Sequence, residues 1–201
     1  MSQQMDEQEL KAQLNLIESM IAQGRRTTEH WSWAYVLWGL AYMVAIAWSA
    51  WGHSTALAWP VTMAAAGLLT WFIGARDSQQ KAETTLGRAV GSIWLATGIT
   101  MFLVFPALGF SGHMIDAHVF IAVASGILGL ANGASGVLLR WRAQFACAVV
   151  WWAASVLSCV LSENQSIVVF LVAIFLCNIV FGIYGMTRES RGRRARGAVH
   201  A

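Results

Sequence analysis

The sequence predicts an all-α, polytopic membrane protein: a six-helix transmembrane bundle, N-in/C-in, with both termini cytoplasmic. Three observations predict it. Of the 201 residues 57% are hydrophobic and only 11% charged, against roughly 25% charged in a soluble domain. The apolar residues gather into six blocks of membrane-spanning length, each read as a helix because lipid cannot satisfy open backbone groups. All 13 Lys and Arg residues fall in alternate connections. This composition excludes both an ordinary globular protein and a disordered chain.

Residues 1–30 are polar and charged, without the apolar core of a signal peptide, so insertion is expected to begin at Trp31. Leu10, Leu14, Ile17 and Ile21 share one face of a helix, with Met20 beside them. Asp6 and Glu9 have the spacing of a capping box, and Gly24 is expected to end the helix. Three settings suit this amphipathic segment: the protein's own helix ends, a neighbouring subunit, or the membrane surface.

The spans are placed at Trp31–Trp51, Leu57–Ala75 with Pro60 in its first turn, Ala89–Phe110 with Pro106 bending its end, Ala117–Leu139, Phe145–Leu161 and Ile167–Met186. Short connections make consecutive spans antiparallel neighbours, so residues 31–187 form the transmembrane domain and 188–201 a basic tail. With the N-terminus inside, every Lys and Arg lies inside and the outer loops hold only His53, His113, Asp116 and Glu163. A missed helix would reverse every later loop and destroy this pattern. Trp31, Trp33, Trp71 and Trp141 mark one interface and Trp48, Trp51 and Trp59 the other.

Internal echoes suggest three repeated helical hairpins. Trp51-Gly52-His53 answers Ser111-Gly112-His113, and Asn132-x3-Gly136 answers Asn178-x3-Gly182, with a weaker echo in Thr70-x3-Gly74.

Gly126, Gly129, Gly133 and Gly136 share one face of the fourth span and predict close helix packing, within the fold or between subunits. Asn132 and Asn178 are expected to hydrogen-bond between spans four and six. The middle of every span lacks Asp, Glu, Lys and Arg, which counts against a proton-coupled transporter or pump. A passive path for a neutral solute, lined by Thr70, Asn132 and Asn178, is the second functional expectation.

His113, Asp116 and His118, with His53 on the same side, have the chemistry of a metal site. Asp116 serves equally as the N-cap of span four, leaving ordinary interfacial histidines. Cys147, Cys159 and Cys177 lie in predicted spans without a CxxC pattern and read as small apolar residues. Nucleophile, phosphate-loop and zinc-protease motifs are absent from the sequence, which disfavours an enzyme. Arg188, Arg191, Arg193, Arg194 and Arg196 follow the last span and suit anionic lipid headgroups; nucleic acid is not expected.

Leu14-x2-Ile17-x2-Met20-Ile21, then Arg25-Arg26 and Leu37-Trp38-Gly39, resembles a group of uncharacterised bacterial inner-membrane proteins of about this size. The resemblance implies the bacterial inner membrane and a six-helix bundle, and supplies no catalytic residues or cofactor. The functional expectation is a non-enzymatic structural or accessory membrane protein, as a homo-oligomer or a subunit of a larger complex.

Overall fold

The computed structural model describes residues 2–52, 55–78, 85–110 and 116–197. Every regular element among them is a helix: α1 (Ser2–His30), α2 (Ser32–Gly52), α3 (Thr55–Ser78), α4 (Thr85–Phe110), α5 (Ala117–Leu138), α6 (Arg142–Ser158), α7 (Glu163–Ile174) and α8 (Phe181–Gly197). A π-helical turn, Phe175–Val180, joins α7 to α8. Among the described residues five stretches are long and apolar enough to cross a membrane: Ser32–Gly52, Leu57–Arg76, Thr85–Leu108, Ala117–Leu138 and Glu163–Arg194. The chain is therefore an all-helical, multi-span membrane protein. The remaining expected span, α6, has 17 residues.

The glycine face of α5 receives α6. The Trp152 ring lies across Gly129 and Gly133, where a side chain on either glycine would strike it. At Gly136 a Cβ would meet the Phe145 backbone nitrogen at 2.7 Å. Gly126 is looser, with only the Ser155 Oγ at 3.4 Å from a Cβ position. That hydroxyl donates to the Ala122 carbonyl at 2.7 Å, adding an interhelical bond. A second close crossing joins α2 to the last helix. Gly185 packs on Ser32, Gly182 on Val36, and Gly39 of α2 on Asn178.

Aromatic rings fill the middle. Trp59 of α3 and Phe105 of α4 both meet Phe120 of α5, at ring-centre distances of 4.6 and 4.8 Å. Phe170 of α7 completes the group beside Trp151 and Tyr42. Such pairs contribute about 0.5–1.5 kcal/mol each beyond their buried area.

Several local expectations change. Gly24 does not end α1, which runs on to His30. The space Gly24 leaves is filled by Leu139 and Leu86, at 2.8 and 3.1 Å from a Cβ position, so this glycine serves a close approach rather than a left-handed cap. Asp6 lies inside α1, not before it. Pro60 falls beyond the first turn of α3. The basic tail through Gly197 is helical and continuous with α8.

These contacts rank the glycines. Gly136→Ala should destabilise the protein by about 1–3 kcal/mol, because a backbone atom cannot move aside. Gly126→Ala should stay within about 0.5 kcal/mol of the parent. Equilibrium unfolding in mild detergent tests the order; equal losses would show that the α5–α6 approach is not limiting.

Candidate functional site

Three places concentrate polar chemistry: the end of the bundle at the start of α5, a seam around the π turn, and the basic end formed by α1, α8 and the α5–α6 turn.

At the start of α5, Asp116 is the N-cap, its Oδ1 accepting the His118 backbone N–H at 2.8 Å. The His118 ring reaches the Ser158 carbonyl through Nδ1 at 2.7 Å, with Ser166 Oγ at 3.3 Å. A carbonyl can only accept, so Nδ1 carries a proton and, in the neutral ring, Nε2 holds the lone pair. His113 and His53 lie outside the described residues. Among the described residues no three His, Cys, Asp or Glu side chains group as metal ligands.

Several polar side chains are buried inside the bundle, some of them beside the π turn. Gln144 Nε2 donates to the Tyr35 hydroxyl at 3.0 Å, tying α6 to α2. Cys177 Sγ donates to the Cys147 carbonyl at 3.5 Å. Asn132 and Asn178 are not bonded to each other, contrary to the expected pair. Asn132 donates back to Leu128 O of its own helix at 2.9 Å, and Asn178 packs on Gly39. Asn132 Oδ1, Asn178 Nδ2 and Gln144 Oε1 are buried without a protein partner. Thr70 is engaged elsewhere, accepting from Trp38 Nε1 at 3.1 Å and donating to Ala66 O at 2.7 Å.

At the basic end, Arg25 of α1 closes off α5. Its Nε donates to the Leu139 carbonyl at 2.7 Å and its Nη2 to that of Arg140. The helix end is a Schellman turn, with Arg140 N–H on Val137 O at 3.1 Å and Trp141 N–H on Gly136 O at 2.8 Å. Arg140 occupies its left-handed position, φ 48°. Nearby, Glu29 of α1 pairs with Arg188 at 3.3 Å, and Glu189 pairs with His30 at 2.6 Å and with Arg193. Arg191 and Arg194 are exposed. Arg196 lies in the last turn of α8, where side chains are not described.

The C-terminal part of α1 thus packs on the protein's own helix ends. Its earlier turns leave Leu10, Leu14 and Ile17 uncovered. Sequence reading missed Arg25 as a cap and the π turn. The first had a trace, an arginine pair following an amphipathic helix; the second had none, since π turns lack a residue signature.

No family model, curated protein or solved structure matches the chain.

The α1–α8 contact carries a pH dependence. Burial alone would raise the Glu189 carboxyl, but hydrogen bonds from His30 and Arg193 outweigh it and hold the group below its usual value. A depressed carboxylate stabilises the fold above its unfolded value of about 4.3 and loses that contribution as pH falls through the lower folded value. The protection of α1 amides, their exchange relative to the intrinsic rate at each pH, should therefore hold from neutrality down to about pH 4 and fall below it. Glu189→Gln should show faster exchange already at neutral pH. A variant indistinguishable from the parent at neutral pH would exclude this ion pair as a tether of α1.

Proposed function

We propose that this chain is a non-enzymatic structural or accessory membrane protein, acting as a homo-oligomer or as a subunit of a larger membrane complex. One observation carries the reading. The apolar stretches of α3 and α4 are only 17% and 6% buried within the protein, against 56% for α5. Two helices with so little of their own protein to pack on present broad apolar faces, including Trp71, Phe72, Leu95 and Phe102. The same faces suit helix–helix association in a bilayer, where close packing is the driving force.

In this reading α6 is the sixth span, and both termini lie on the cytoplasmic side of a bacterial inner membrane. The positive-inside distribution supports that topology. The α5 glycines are taken up by α6, which directs an oligomer contact to α3 and α4 instead. Cysteine introduced at Phe102, in a chain with the native cysteines replaced, should give cross-linked dimers or adducts to a partner in native membranes. A monomer there, matched by a partnerless monomer in native mass spectrometry, would end the proposal.

A passive path for a small neutral solute is the second reading, favoured by Asn132 Oδ1 and Asn178 Nδ2, which are buried without a protein partner. Uptake into vesicles above the lipid background, lost in Asn178→Leu, is its expected result; flux equal to bare lipid would reject it.

A further inference from the structure

We propose that the uncovered N-terminal half of α1 is a docking face for the same segment of a second copy of this chain, the two lying antiparallel along Leu10, Leu14 and Ile17. The inference rests on the homo-oligomer reading above and names a segment that joins the copies.

The face continues a seam already in use. Leu10, Leu14, Ile17, Ile21, Gly24 and Thr28 follow one another at steps of four, three, four, three and four, the spacing of a coiled-coil stripe. The last turns of that seam pack on the protein itself. Thr28 is buried, Gly24 is closed by Leu86 and Leu139, and Ile21 is half-buried. Further towards the N-terminus the cover stops: Leu10, Leu14 and Ile17 are 58%, 52% and 51% exposed.

The contacts of α1 show where this half begins. Read from the C-terminal end, Glu29 and His30 meet α8, Arg25 meets the end of α5, and Gly24 meets Leu86 in the first turn of α4. The helix passes from α8 across the end of α5 to α4, and its uncovered turns begin where it reaches α4. The apolar stretch of α4 is the least enclosed of the five, at 6% buried. The free seam therefore starts beside the helix that most lacks neighbours of its own.

Charge selects the occupant. Residues 1–20 carry Asp6, Glu7, Glu9 and Glu18 against Lys11 alone. An anionic leaflet repels such a segment, since helices that lie on a membrane carry Lys and Arg on their polar face. Lys11 and Glu18 are exposed, and each follows a seam residue by one place, so both flank the seam on the same side. A two-fold axis in a membrane runs along the bilayer normal and reverses any helix that lies across it. Reversal sets Lys11 against Glu18 of the partner subunit, and symmetry makes that pair twice. Leu14 then faces Ile17 of the partner subunit, which closes the apolar stripe.

The test is energy transfer between full-length copies labelled on Cys159, the exposed native thiol, in phosphatidylcholine vesicles. The parent should dimerise. Lys11→Glu alone and Glu18→Lys alone should each weaken the dimer about tenfold, because two surface pairs turn from attraction to repulsion. The double exchange Lys11→Glu/Glu18→Lys should restore it to within about twofold. Leu14→Asp should weaken it by at least about tenfold. These side chains are exposed in the single copy, so its fold does not depend on them. Unchanged transfer in Leu14→Asp, or a double exchange no tighter than the single ones, would overturn the α1 contact. If the Phe102→Cys cross-link persists in that case, the homo-oligomer stands without it. Absence of transfer in the parent would remove the homo-oligomer reading, and this contact with it. Quenching of a fluorophore on Leu14→Cys, in a Cys159→Ser chain, by spin-labelled lipid would assign the face to the bilayer surface and overturn the contact as well.

Discussion

The hydrogen bonds from Arg25 to the last carbonyls of α5 are the point on which the arrangement of the basic end depends. A helix end leaves carbonyls without intrahelical partners, and few groups can reach them at the edge of a bilayer. One guanidinium satisfies two at once. To do so, α1 must cross the mouth of the bundle at a fixed height. That height sets Gly24 against Leu86 of α4 and Leu139 of the turn. It also brings His30 and Glu29 to the side chains of α8. A segment that sequence alone left with three settings is thereby committed, through its last turns, to the protein itself.

The interior follows from close approach. Lipid removes the hydrophobic drive between helices, so backbone proximity must replace it. The α5–α6 contact achieves this with Trp152 laid over two glycines, and the α2–α8 contact with glycines against Ser32 and Val36. The Tyr35–Gln144 bond ties α2, a member of the second seam, to α6, a member of the first.

The helical class, the clustering of charge at one end and the position of most spans were legible because lipid imposes simple rules of length and charge. The glycine face was legible because small residues at helical spacing have few other uses in a span. The partner of that face was not, since the choice of α6 depends on Trp152 and on a short turn rather than on any property of α5. The Asn132–Asn178 pairing failed for a related reason. Matching motifs suggested equivalent helices, but Asn178 sits in a π turn and Asn132 in a regular helix. The start of α5 was only half legible: the cap role of Asp116 has a short-range signature, while the His118 bond to Ser158 links residues forty apart.

The π turn between α7 and α8 has a consequence for how this chain tolerates change in length. A π turn accommodates one residue more than the α-helical path between the same end points. Each residue of an α-helix advances the facing direction by about 100°. Deleting one residue between Ile174 and Phe181 would let the helix run straight while keeping both halves in phase with their neighbours. Deleting one in the regular part of α8, beyond the turn, would swing everything after it by that angle. A deletion just before Gly182 would leave the turn intact and carry Gly182, Gly185 and Glu189 off Val36, Ser32 and His30. The turn is thus a slack register, the one stretch of the last helix where a single codon can be lost without rotating the residues that grip α1 and α2.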